Sequence, residues 1–386
     1  MKDIFIEPND VLIFRDGRSF SAGDDHLACG IFPPSPTNFY GAFRSALLSQ
    51  HNASFSGNSF QTDESIASLV GSPEELGTLC IEHFSLARRS DKGLELLFPI
   101  PNDLLVTRGA ETSNSTAARH SAKFMRLTAN QFGSAFKANV PLDGMLLGWA
   151  LHNETDRLEY KPGFLDHNTF QRYLHGELPT NLVPAREVFE KENRTGIALQ
   201  KGTKTAETGK LYAVEFVRMN RNVGFAVRLN TDAELADSGL LRLGGEAKSA
   251  YYAMAAIPKL SAERIKAMIS ETQSFRLVLV TPAVFTKGWL PDCIDSDGSG
   301  QLGDCRVQLI GAAISRYQTV GGWDMMKNKP KQSWRAVPAG SVYFFKLLDG
   351  DVSSLFEFVF GKSICQDESW RKQGLGITYI GGLNHV

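Results

Sequence analysis

Phe32-Pro33-Pro34-Ser35-Pro36 is the stretch that leaves this chain the fewest choices. Each proline fixes φ near −65° and removes an amide donor, so neither a helix interior nor a central strand can run through it. Just beyond it, Phe39, Ala42, Phe43, Ala46 and Leu47 recur at i, i+3, i+4, i+7 and i+8. That spacing predicts an amphipathic helix capped by Thr37 or Asn38. Before it, an apolar run from Ile4 to Phe14 reads as a strand and leads into Arg15-Asp16-Gly17-Arg18, a glycine turn with two guanidinium groups. Strand, turn, rigid loop and helix form a first β-α unit whose mouth suits an anion.

A length of 386 residues predicts two domains, or one large one, with a substantial core. The formal net charge of −1 exerts no global pull on nucleic acid, so a polyanion has to be held by local patches. No apolar run reaches the ~20 residues of a membrane span. The opening Met1-Lys2-Asp3-Ile4 is not a signal peptide, so a cytoplasmic location is expected. Five widely spaced cysteines without a CxxC predict reduced thiols rather than a disulfide framework or zinc ribbon.

Along the chain, residues 50–62 read as a loop and 73–77 as a short helical turn. Residues 78–88 and 93–100 read as a strand hairpin. The first hundred residues thus follow a β-α-β-β order, most of one ferredoxin-like unit. Residues 107–122 lose the apolar pattern while Arg108, Arg119 and His120 accumulate, which predicts a basic insertion. A short helix is expected over 168–175 and extended runs over 185–189, 195–200, 211–217 and 222–229, the polar segment 201–210 separating the middle two. Between Arg186 and Arg228 nine basic residues face five acidic ones, making the hairpin at 194–210 locally positive. Gly244-Gly245 precedes a possible helix, and 261–270 reads as a capped one. From 275 the pattern begins again with strands at 275–281, 306–319, 340–348 and 375–380 and a helix at 351–360. The expected division is therefore 1–272 and 273–386, the second part a degenerate ferredoxin-like unit.

The strongest site signal is Gly321 to Phe345. Lys327, Lys329, Lys331 and Arg335 fall in a run with no acidic residue from Met325 to Leu348, and Trp323 and Trp334 bracket the lysines. Cations interleaved with aromatics suit single-stranded RNA, since phosphates pair with Lys and Arg while unstacked bases lie on rings. The alternative is a solvated lysine loop whose tryptophans pack inward. Gly374, Gly376, Gly381 and Gly382 near the end of the sequence predict turns whose exposed amides can form an anion nest. Asp24-Asp25 and the Asp295–Asp304 loop lack the further ligands a magnesium or calcium site needs. His26, His51 and His120 have no patterned partner, although one histidine is enough for a metal-independent ribonuclease. No metal, cofactor or catalytic residue is assigned.

The segments FRDGRSF, FPPSPTNFYGAFRSALL, RTGIALQKGTKTAETGKLY, LRLGGEAKSA, LVTPAVFTKGWLP and GGWDMMKNKPKQSWRAVPAGSVYFF, with the closing glycines, resemble one family in order. It is the third-subunit family of the Cmr module, the type III-B CRISPR effector complex, within the RAMP superfamily. The resemblance implies an α+β fold of two ferredoxin-like (RRM-like) domains with a glycine-rich C-terminal loop. It implies a non-catalytic subunit that grips the 5′ tag of the CRISPR RNA beside the large polymerase-like subunit and backbone RAMP subunits. By position it makes Arg15, Arg18, Arg44, Arg194, Lys201, Lys204 and the lysine block RNA-contact candidates, and Gly374, Gly376, Gly381 and Gly382 the glycine loop. The competing expectation is a CRISPR RNA-processing endoribonuclease of the same superfamily that uses His26 or His51.

Overall fold

A computed structural model of the chain describes residues 1–15, 27–28, 30–56, 59–72, 74–107, 123–126, 128–130, 147–149, 163–200, 202–246, 248–324 and 327–383. Arg18, Lys201, His26, Asp24-Asp25 and the insertion at 108–122 lie outside the described residues. The architecture is mixed, rich in sheet and poor in helix. By internal contact the chain forms two units, each assembled from separate stretches. Unit 1 comprises Met1–Leu94, Arg186–Ile257 and Thr319–Arg335; unit 2 comprises Glu95–Ala185, Pro258–Gln318 and Ala336–Val386. This partition follows contact, whereas the expected division at 272/273 follows chain order.

In unit 1, β1 (Lys2–Pro8) carries Ile4, Phe5 and Ile6 with almost no exposed surface, and it occupies the middle of an antiparallel sheet. With β2 (Cys80–Ser90), β5 (Val223–Asn230), β6 (Ser238–Arg242) and β7 (Ser249–Met254), the order is β2-β5-β1-β7-β6. Helix α1 (Pro36–Gln50) lies against β2 and β6 and packs beside α2 (Glu64–Val70). Its Phe39 ring sits 4.8 Å from Phe84 and 4.7 Å from Phe225. Burying each such ring contributes roughly 1.5–3 kcal/mol. A second antiparallel pair, β3 (Phe189–Leu199) and β4 (Ala206–Met219), makes a long hairpin.

Several expectations need correction here. Ser35, rather than Thr37 or Asn38, caps α1: its side chain accepts from the Thr37 amide at 3.4 Å and Pro36 opens the helix, where a missing N–H costs nothing. The first strand ends at Pro8, not Phe14, and Val11 and Ile13 instead pack with Val214 and Phe216. Residues 54–56 and 59–61 pair as short strands inside the expected loop. No helix follows Gly244-Gly245; a hairpin joins β6 and β7, with Gly244 at φ +76°. The hairpin strands β3 and β4 are longer than the apolar runs suggested: pairing runs from Phe189–Met219 to Ile197–Leu211, and after a register shift Leu199 pairs with Ala206.

Unit 2 holds a six-stranded antiparallel sheet built on β8 (Ser274–Leu279), β9 (Cys305–Ala313), β10 (Val342–Asp349) and β11 (Ile377–Gly382). Its order is Ser299–Leu302, β9, β10, β8, β11 and Lys362–Ser363. Helices α3 (His167–Leu174), α4 (Glu263–Thr272) and α5 (Val352–Val359) lie against β11. The expected strand at 306–319 is broken after Ala313, and Gln318–Val320 is separate. Among the described residues, no helix is long and apolar enough to cross a membrane.

At the centre of unit 2, Arg276 and Asp103 are both fully buried and joined at 3.1 Å. Arg276 Nη2 also donates to the Gly382 carbonyl at 2.7 Å, and the Tyr173 hydroxyl donates to Asp103 at 2.7 Å. The guanidinium lies 4.6 Å from the Tyr173 ring centre. Burial, then the Asp103 charge, push the Tyr173 hydroxyl well above its usual range, so it stays a donor. Asp103→Ala strands a buried cation and is expected to destabilise by about 3–5 kcal/mol. Tyr173→Phe removes one hydrogen bond to a charge and is expected to cost about 1.5–3 kcal/mol. Chemical denaturation of both variants checks this; a loss below 1 kcal/mol for Asp103→Ala, roughly the worth of a surface pair, would refute it.

Candidate nucleic-acid interface

The lysine block is folded, not a free loop. Trp323–Asp324 pairs antiparallel with Lys329–Pro330, Asn328 takes φ +46° in the turn, and Asp324 accepts from the Lys327 amide at 3.0 Å. The Lys331 amide then donates to the Gly322 carbonyl at 2.9 Å. This small hairpin belongs to unit 1. Trp323 and Trp334 are 47% and 40% exposed, so neither ring packs fully inward. Lys329 is exposed and makes no ion pair among the described residues, while Lys327 lies 3.8 Å from Glu74. Arg335 is exposed as well. Flat rings beside free ammonium groups can stack bases and neutralise phosphates.

The hairpin reaches the loop after α2, where Lys327 lies 3.8 Å from Glu74, and from there the Arg44 charge bears on Lys331. Arg44, on the turn after Tyr40, donates Nη2 to the Ser72 carbonyl at 2.8 Å, but its Nε is buried without an acceptor. The Tyr40 hydroxyl is likewise buried and unpartnered. Burial, then Arg44, lower Lys331, and only Asp324 works against them. Burial also lowers Arg44 itself. Although Lys331 has much exposed surface as a residue, its charged end is crowded by protein atoms and by a like charge. Burial pushes the Tyr40 hydroxyl up to about 12, the nearby Arg44 opposing and Cys80 adding to it, so the phenol is a neutral donor near pH 7. Arg44 and Lys331, both expected as contacts, are thus coupled by charge across the chain. Tyr40 went unrecognised in the sequence, since an aromatic beside Phe39 reads as core; its place one turn before Arg44 was the available signal.

Other expected residues are placed differently. Arg15 is exposed in an isolated bridge with Gly30. Arg194 is committed inside unit 1: it donates to Glu192 at 2.8 Å, lies 3.7 Å from Asp10, and stacks 5.2 Å from the Phe216 ring centre. Lys204 is exposed at the β3–β4 turn with φ +58°. Gly374 and Gly376 have the turn conformation expected, at φ +79° and +72°. Their amides, however, donate to Arg371 and Pro282 carbonyls, and those of Leu375 and Ile377 to Trp370 O and Thr281 Oγ1. Those four N–H groups are spent internally, so they do not form an open nest. Gly381 and Gly382 are not loop residues: both are buried in β11, where a Cβ on Gly381 would meet Leu174 at 3.1 Å. The His51 amide closes the end of α1 on Leu47. In the acidic loop, Asp297 caps Ser299 and Asp295 lies 3.5 Å from Lys287.

Comparison with known proteins supplies the class. A family model described as "CRISPR-associated protein (Cas_Cmr3)" matches residues 4–383. The chain is therefore a CRISPR-associated protein of the Cmr module. It belongs to the Cas_Cmr3 family, as the motif resemblance implies. No curated protein matches it. Among solved structures, a chain of the cryo-EM structure of the Type III-B Cmr-beta bound to cognate target RNA is similar at 14% identity and TM-score 0.49, covering 89% of this chain and 86% of that one. A chain of the crystal structure of the Csm3-Csm4 subcomplex in the type III-A CRISPR-Cas interference complex is similar at 11% identity and TM-score 0.35, covering 91% and 94%.

The crowding of Lys331 makes a stability prediction. A lysine whose folded pKa lies below its unfolded value penalises the fold while it is charged; the penalty is full below the folded pKa, fades as pH rises through it, and is gone above the unfolded pKa near 10.5. Lys331→Gln is therefore expected to raise the melting temperature at pH 7, the gain shrinking steadily toward pH 10.5. Thermal melts across that range check it, and a lower melting temperature for the variant at pH 7 would contradict the crowding.

Proposed function

We propose that this chain is the non-catalytic CRISPR RNA-binding subunit of a type III-B (Cmr) effector complex, holding the 5′ tag and docking beside the large polymerase-like subunit and backbone RAMP subunits. The reading includes two ferredoxin-like halves and a cytoplasmic location. The observation that carries it is the hairpin at 321–335, where exposed Trp323 and Trp334 flank the lysines. Family membership supports a place in the effector complex. Lys329 and Arg335 pair with phosphates, and one of the two tryptophans stacks a base. The internally bonded amides at 374–377 shift the grip from the glycine turn to the hairpin.

Replacing Lys329 and Arg335 together by Ala is expected to weaken binding of tag-bearing RNA. Each lost phosphate contact removes about 0.7 from the salt slope on a single strand, so the double variant loses about 1.4. Fluorescence anisotropy at several salt concentrations measures both quantities, and an unchanged slope would remove these residues from the interface. For the non-catalytic part, repeat RNA incubated with the chain in EDTA is expected to remain intact. Cleavage abolished by His51→Ala or His26→Ala would make it a ribonuclease instead.

A further inference from the structure

The geometry points to a buried anion site formed by Tyr40, Arg44 and Lys331 that takes one phosphate group of a bound RNA strand. The inference rests on the RNA-binding reading above and adds to it a ligand group and a neutral residue that charge patterning does not reveal.

The site is defined by an imbalance between donors and acceptors. Tyr40 is 2% exposed, yet its hydroxyl has no hydrogen-bond partner. Arg44 Nε is buried and also unpartnered, although Nη2 of the same guanidinium is held by the Ser72 carbonyl. A buried donor left unmade is costly, and here two lie one helical turn apart. Tyr40 and Arg44 are four residues apart on α1 and therefore on the same face. The hairpin that carries Lys331 reaches the same loop: Lys327 lies 3.8 Å from Glu74, whose amide donates to Ser72, the residue that holds Arg44, and the Arg44 charge bears on Lys331.

What this arrangement lacks is an acceptor. Guanidinium and ammonium only donate, and the neutral phenol has a hydrogen bond to give. The acidic groups nearby are occupied: Asp324 accepts from the Lys327 amide, and Glu74 lies 3.8 Å from the Lys327 ammonium. The complementary ligand is a compact anion offering several acceptor oxygens and at least one negative charge. A phosphate group meets that description, and Arg and Lys are the side chains that bind it. A protein carboxylate carries the same sign, but the exposed rings of Trp323 and Trp334 on the same hairpin favour a strand that also presents bases.

Ser72 completes the frame. Its carbonyl fixes Arg44, while its hydroxyl accepts from the Glu74 and Glu75 amides and so holds the loop after α2 in place. Arg44 is oriented before any ligand arrives, which lowers the ordering cost of binding.

Three full-length variants test the site with uniform single-stranded RNA as the probe. Tyr40→Phe deletes one oxygen and no charge. It is expected to lower affinity about tenfold or more, the range for a hydrogen bond to a charged group, and to leave the salt slope unchanged. Lys331→Gln is expected to lower both affinity and slope, the slope by about 0.7. Arg44→Lys keeps the charge but loses the planar fork, and is expected to weaken binding with the slope intact. Without RNA, Tyr40→Phe is expected to melt at or above the parent temperature, because an unsatisfied hydroxyl has been removed; this separates loss of the site from loss of the fold. Parent-like RNA affinity in Tyr40→Phe and Lys331→Gln would overturn the site while leaving the wider RNA reading intact. If the parent chain binds no RNA, that reading fails and inorganic phosphate decides the site. Phosphate raising the melting temperature more than chloride at equal ionic strength, in the parent but not in Tyr40→Phe, supports it. The absence of that difference overturns it, as does stabilisation by polyglutamate alone.

Discussion

Arg276 is the group on which unit 2 depends. It sits on β8, inside the sheet, with no exposed surface, and its charge is answered by Asp103. The same guanidinium grips the Gly382 carbonyl on β11, and its face lies against Tyr173 of α3. One side chain therefore ties together four stretches of sequence that start far apart. A lysine has neither the fork nor the flat face to do this. Gly382 is part of the arrangement, since a Cβ there would lie 2.7 Å from the end of the Met268 side chain. A buried ion pair is weak evidence of net stability, because hydrophobic residues of the same shape often do as well. What it does enforce is register: slide β8 by one residue and the charge points away from Asp103.

Several cations of unit 1 are likewise neutralised within that unit. The stretch from 186 to 228 looked positive, yet Arg194 and Arg218 share Glu192 and Asp10, Lys191 meets Glu215, and Arg228 is bidentate on Asp3. Residues distant in sequence supply the acids Asp3 and Asp10, so a local charge count overstates the field of that hairpin. The Arg44–Lys331 pair is the opposite case. There the Arg44 charge bears on Lys331, with Asp324 as the opposing charge. Proximity of like charges, rather than their number, marks the better anion site.

The parts of this fold that could be read from the sequence were those with local causes. The α1 periodicity, the strand at 80–90, its partner at 93–99 and the elements of unit 2 follow from apolar spacing and turn residues. Less legible were the features set by distant partners. Beyond Leu211 the hairpin closes through a register shift that pairs Leu199 with Ala206, and no periodicity in the segment itself records that. Helix α2 spans only seven residues, short enough for its pattern to vanish into a polar surround. Gly381 and Gly382 resemble turn residues by composition, but they are strand residues kept small by Leu174 and Met268. At the site, the lysine block and Arg44 were visible as cations, while their meeting was not. Tyr40 was hidden because a hydroxyl without a partner is a property of the fold and not of the residue type.

That hydroxyl also bears on why the site persists. Tyr40 and Arg44 each leave a buried donor unmade, and Lys331 adds a repelling charge, so the free chain carries strain that apolar substitutes would relieve. A sequence shaped by stability alone has easy routes out: Phe at 40 and Gln at 331 keep much of the shape. Retaining all three groups makes sense if an anion occupies the site in the working state, since a ligand that binds only the folded chain returns stability in proportion to its saturation. The cost is then a feature of the unbound molecule, and an anion that accepts from Tyr40 and Arg44 and answers the charge of Lys331 removes it.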